Sequence, residues 1–151
     1  MATSLVDIND LFLTMVTDYR LTALYNSNLG NFNTYLEGFL IQAIDDFTDL
    51  CNQDLTYDLG TQEFSVTLTL RNKMILAKMM KRNWLSKEVH NILQMNNFIT
   101  DHDFKMHSAA QNLREKKDLL ILANEEIDQA LLNYGYAATD WDNWKLQVFD
   151  E

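Results

Sequence analysis

Proline is absent from this chain of 151 residues and glycine occurs only four times, so nothing in its backbone chemistry forbids long helices. Its one cysteine, Cys51, has no second thiol to pair with. An internal disulfide is therefore excluded, and a reducing compartment is the expectation. No apolar run approaches the roughly 20 residues that a membrane span needs, so no membrane is expected among its partners. The opening "MATSLVDINDLF" lacks the basic region and long apolar stretch of a signal peptide, and the reducing compartment expected from the lone cysteine is cytoplasm or something assembled there. Basic residues are scarce: 12 against 22 acidic, for a net charge of −10. That balance argues against ordinary nucleic-acid binding, whose affinity comes from neutralising phosphates.

Apolar material is plentiful. The chain is 47% hydrophobic and 11% aromatic, and its length suits one domain with a sizeable core. The charges are unevenly laid out. Residues 1–70 hold ten acids and one base, Arg20; residues 88–151 hold twelve acids and five bases. Between them, residues 71–87 hold six bases (Arg71, Lys73, Lys78, Lys81, Arg82 and Lys87) and no acid. The chain is acidic with one basic block in its middle.

Hydrophobic periodicity predicts a mainly α fold, a helical bundle with one long C-terminal helix and a small β-hairpin. A first helix is expected from about Asp7 to Val16, followed by an Asn-rich loop, "DYRLTALYNSNLGNFN". From Thr34 to about Leu50, apolar residues recur every three or four positions, and Thr34 with Glu37 fits a capping box. Asp45, Asp46 and Asp49 fall opposite that stripe, in water or against a partner. The period then changes to two in "LTYDLGTQEFSVTL", a hairpin at about 55–68 that must lie on the helices or join a neighbour's strands. Thr69 is expected to cap a third helix, Leu70 to Leu85, and Ser86 to begin another short one. Ser108 with Gln111 reads as the capping box of the last helix, Ala109 to Tyr134, about 39 Å long, with Gly135 as its C′ residue. Residues 1–136 thus form the helical domain and 137–151 a tryptophan-bearing arm.

Few residues suggest chemistry. Asp101, His102, Asp103 and His107 are the candidates for a metal-dependent enzyme or regulator. Three of them are consecutive, so on a regular backbone they do not converge on one ion, and no Cys pair or H-x-x-x-H completes the set. A helix-entry turn explains them better, with Phe104 anchoring it to the core. Cys51 belongs to an apolar stripe, His90 has no evident acid partner, and Met74, Met79, Met80 and Met95 read as core filler. No Gly-rich phosphate loop occurs. No catalytic residue, metal ligand or cofactor is expected, and the chain is not read as an enzyme.

Arg71, Lys78 and Arg82 line up on one narrow stripe of the third helix. The stripe is either a solvated face or a contact with the acidic surfaces of an identical neighbour, Asp45, Asp46 and Asp49 among them. A block of one sign beside surfaces of the other suits head-to-tail contacts, which close into rings. In the C-terminal arm, Trp141, Trp144 and Val148 sit at i, i+3 and i+7, either folded back on their own domain or docked on the next protein.

The hairpin end "FSVTLT", the helix "NKMILAKMMKRNWL", the block "ITDHDFKMHSAAQNLREKKDLL" and the closing "ALLNYGY" together resemble the neck proteins of tailed bacteriophages. These are the small head-tail connector (adaptor) proteins beneath the portal. The likeness covers about residues 35 to 136 and does not reach the N-terminal helix or the tryptophan-bearing tail. It implies a ring-forming homo-oligomer, commonly twelvefold, bound to the portal protein and receiving a stopper or tail-completion protein. It also implies a virion location in the neck, and genome DNA passing an acidic channel wall without specific binding. A tail or baseplate position is the neighbouring alternative.

Overall fold

The computed structural model describes the backbone of residues 1–98 and 103–139 and the side chains of 1–94 and 110–139. Ser4 starts the first helix: its hydroxyl accepts the Val6 N–H at 3.3 Å, one of the donors a helix start leaves without a partner. The helix, α1 (Leu5–Met15), buries Leu5, Ile8 and Phe12. The Asn-rich segment expected to be a loop is helical. Asp18 accepts the Arg20 N–H at 2.8 Å and opens α2 (Tyr19–Ser27). Asn28 then serves two helices. Its own N–H closes α2 on the Leu24 carbonyl, and its side chain accepts the Asn31 N–H at 3.1 Å to open α3 (Leu29–Thr48). The Thr34–Glu37 capping box therefore does not form, because the helix is already under way and the Thr34 hydroxyl bonds back to Gly30 O.

A two-stranded antiparallel hairpin follows, β1 (Tyr57–Asp58) and β2 (Glu63–Phe64). Its turn is built by side chains: Asp58 accepts the Gly60 N–H at 2.7 Å, and Gln62 adopts a left-handed φ of 59°. Glycine at position 60 suits the close approach of Asp58: a Cβ there would lie 3.1 Å from Asp58 Oδ1, and the side chain would have to give by a few tenths of an ångström. The N-terminal residues lie along the other side of β2. Phe64 N–H donates to Thr3 O at 2.8 Å, Leu5 N–H to Gln62 O at 2.9 Å, and Leu68 N–H to the buried Thr3 hydroxyl at 2.8 Å. The hairpin thus rests on the chain's own beginning.

Thr69 accepts the Asn72 N–H at 3.3 Å and caps α4, which runs unbroken from Leu70 to Phe98. The separate helix expected from Ser86 does not exist, because the buried stripe of Ile75, Leu76, Met79, Met80 and Trp84 continues through Leu85, Glu88 and Val89. The last helix, α5 (Asp103–Ala138), has 36 residues, about 54 Å at 1.5 Å per residue. Ser108 lies inside it, past its start at Asp103, and Gly135 continues it with no left-handed φ. Among the described residues the fold is five helices and one small hairpin, mainly α as expected.

Helix α4 is the centre of the bundle and packs against α1, α3 and α5. It runs antiparallel to α5: Arg71 meets Tyr134, Lys81 meets Glu126, and Trp84 meets Lys116. Phe12, Phe47, Phe64, Leu36 and Leu76 are completely or almost completely buried in one core. Each such side chain contributes about 1.5–3 kcal/mol through apolar burial.

Candidate functional site

The basic block of α4 is largely committed within one copy of the chain. Lys73 reaches Asp7 of α1 at 3.5 Å, Lys81 reaches Glu126 of α5 at 3.9 Å, and Arg82 pairs with Asp46 of α3. Arg71 stacks over the Tyr134 ring, and Lys87 lies over Tyr35 at 4.6 Å and Phe39 at 5.6 Å from the ring centres. Among the described residues, Lys78 is the one cation of the block without an ion pair or ring contact. Asp46 and Arg82, proposed on sequence grounds as surfaces two copies would bring together, already meet inside one. Asp45 and Asp49 are exposed.

Lys78 lines an open groove of about 600 Å³ between α4 and α5. Met74, Ile75, Leu122 and Ala130 supply its apolar walls; Arg71 and Lys78 stand on the α4 side, Glu125 and Glu126 on the α5 side. Leu122 is 53% exposed there. Round the helix, Ile121 and Leu132 are 55% and 57% exposed, while Ala123, Ile127 and Tyr134 of the same helix are buried. Helix α5 is therefore apolar on more of its surface than its own bundle covers.

Two polar clusters help to fix the bundle. The Tyr134 hydroxyl accepts the Asn52 N–H at 2.7 Å and lies 3.8 Å from Cys51 Sγ, tying the end of α5 to the loop after α3. Burial holds the Tyr134 phenol above the usual tyrosine range. Fully buried Asn72 donates to Gln53 Oε1 at 2.7 Å and to Asn52 Oδ1 at 3.2 Å. In the second cluster Arg20 pairs with Asp18 and with Glu88, whose side chain is 6% exposed. The hydrogen bond to Glu88 is the main cause that raises the Arg20 pKa further. Sequence reading missed Glu88 and Tyr134; an acid on the buried stripe of α4 is the signal that marks the first.

The other sequence candidates fall where less is described. Asp101 and His102 lie outside the described residues, as do Trp141, Trp144 and Val148. Asp103 and His107 sit one turn apart at the start of α5. Among the described residues, no group of three His, Cys, Asp or Glu side chains is placed to hold a metal ion. No helix among them is long and apolar enough to cross a membrane. Comparison with known proteins finds no matching family model, no matching curated protein and no matching solved structure.

Proposed function

We propose that this chain is a structural assembly protein of the tailed-bacteriophage neck. In this reading it forms a ring beneath the portal protein, extends the DNA channel and links head to tail without doing covalent chemistry. The observation that carries the reading is the surplus apolar surface of α5: Leu122 is more than half exposed in the groove it shares with the uncommitted Lys78, and Ile121 and Leu132 are as exposed elsewhere round the helix. Exposed apolar side chains on more than one face of a helix suit surfaces that other subunits cover. The spaced residue blocks between about 35 and 136 supply the resemblance to connector proteins. A net charge of −10 suits a channel wall that must not hold the passing genome.

Co-expression with the portal protein of the same genome tests this reading. Electron microscopy of the purified complex is expected to show rings of this chain on the portal. Lys78→Glu and Leu122→Glu are expected to weaken the ring while leaving the helical content of the subunit unchanged. A chain that stays monomeric both alone and with portal would overturn the proposal.

A further inference from the structure

Helix α5 packs on its bundle through Ala123, Ile127 and Tyr134, and Ile121 lies on the opposite side, 55% exposed. At about 100° per residue, Arg114, Lys117, Glu125, Asp128 and Leu132 all fall within about 40° of Ile121 round the helix. Every one of them is exposed. The four charged ones make no ion pair among the described residues. Their neighbours Lys116 and Glu126 turn inward, to Trp84 and Lys81, and Glu115 lies about a third of a turn away.

The order of these charges is symmetric about Ile121. The bases stand seven and four residues before it, the acids four and seven after it. One more acid, Asp118, lies about 60° round, on the flank of the basic half and one turn on from Arg114. The first half of the face therefore carries two bases and one acid, the second half two acids and no base. A second copy laid antiparallel, with Ile121 on the two-fold axis, sets Arg114 and Lys117 of each helix against Glu125 and Asp128 of the other. A parallel copy would set like on like. Such surface pairs add little affinity singly, but they decide orientation. Leu132, 57% exposed, then comes over Ala110 of the other copy, since both lie eleven residues from Ile121. The contact runs from Ala110 to Leu132, about 33 Å of helix.

We infer that the outer face of α5 is a homodimer contact, in which two copies of the free chain pair antiparallel about Ile121. Both copies use the same surface, so the contact closes at two and does not propagate. The inference does not rest on the neck reading. This face lies roughly a quarter-turn round α5 from Leu122 and the Lys78 groove, and the pair needs no portal.

Sedimentation velocity of the full chain, from low micromolar to several hundred micromolar, is expected to show a monomer–dimer equilibrium that weakens as salt is added. Arg114→Glu with Lys117→Glu is expected to weaken self-pairing at least about tenfold, and so is Glu125→Lys with Asp128→Lys. Mixed in equal amounts, these two double variants are expected to pair with each other about as well as the wild type pairs with itself. Damage to the fold does not produce that rescue. In a Cys51→Ser background, Ile121→Cys is expected to link to its own copy on oxidation. Leu132→Cys is not, because its two copies stand about 33 Å apart along the pair. A chain that stays monomeric throughout, a dimer indifferent to the charge reversals, or a mixture that fails to pair overturns the inference. Leu132→Cys linking as fast as Ile121→Cys also overturns it, since the helices would then run parallel.

Discussion

Arg71 stands over the ring of Tyr134, its guanidinium carbon 5.6 Å from the ring centre, so a cation from the basic block is held by the far end of the chain's own last helix. The same tyrosine hydroxyl accepts the Asn52 N–H, and one side chain thereby joins α4, α5 and the loop after α3. Tyr134→Phe is expected to lower stability by about 0.5–1.5 kcal/mol, since the exposed Asn52 loses a hydrogen-bond partner that water replaces only in part. Arg71→Ala is expected to lower it by about 0.5–1 kcal/mol, the usual range for an exposed cation over a ring. Urea denaturation of each variant measures both.

Arg82 and Asp46 make their ion pair inside one subunit at the surface, with side chains 24% and 47% exposed. Their double-mutant cycle is expected to give a coupling of about 0.2–1 kcal/mol that shrinks as salt is added. Arg82→Ala and Asp46→Ala are expected to change the melting temperature slightly and assembly hardly at all. Lys78→Glu is expected to do the reverse. Analytical ultracentrifugation beside thermal melts separates the two effects.

Glu88 depends on Arg20 more than Arg20 depends on Glu88, because the carboxylate is buried and the guanidinium is largely in water. Removing the cation leaves a buried charge unpaired. Arg20→Ala is expected to cost about 1–2 kcal/mol, well under the figure for a wholly buried pair because water screens the arginine side. Arg20→Ala combined with Glu88→Gln is expected to recover part of that loss. Chemical denaturation of the three variants tests the order.

Asp54 accepts the Thr56 hydroxyl at 2.6 Å and the Thr56 N–H at 2.9 Å, and these bonds hold its carboxyl below the ordinary range. A carboxyl with a depressed folded pKa stabilises the fold above its unfolded value and loses that contribution as pH falls through the folded one. The turn before the hairpin is therefore expected to keep its Asp54 bonds at mildly acidic pH and to release them only below the usual aspartate titration. Thr56→Val is expected to move the Asp54 titration upward, as followed by carboxyl-carbon NMR.

The helical class, the hairpin and the long final helix are legible in hydrophobic period alone. The boundaries are not, and each miss has a physical cause. The break expected between Leu85 and Ser86 follows serine's cap chemistry, yet α4 runs through it; what continues the stripe there includes Glu88, whose partner Arg20 lies 68 residues earlier, beyond the reach of local pattern. Asn28 reads as a loop residue, yet asparagine there ends one helix and starts the next. Ser108 and Gly135 carry cap chemistry in sequence, but α5 runs through both, glycine and serine being tolerated inside a helix at modest cost. The candidate surface was half legible. The alignment of Arg71, Lys78 and Arg82 on α4 is real in period, whereas which of them the fold consumes depends on Tyr134 and Asp46, far away in the chain.

The bonds that fasten Thr3 to Leu68, Asp7 to Lys73, Arg20 to Glu88 and Asn52 to Tyr134 close loops of 65, 66, 68 and 82 residues. Helical proteins usually refold quickly because their neighbours in space are neighbours in sequence. Here the opening residues must wait for a partner segment synthesised much later on the ribosome, and on dilution from urea they must close a long loop to reach it. Stopped-flow refolding is therefore expected to run slower than the helix content alone would suggest, with secondary structure gained well before the N-terminus is secured.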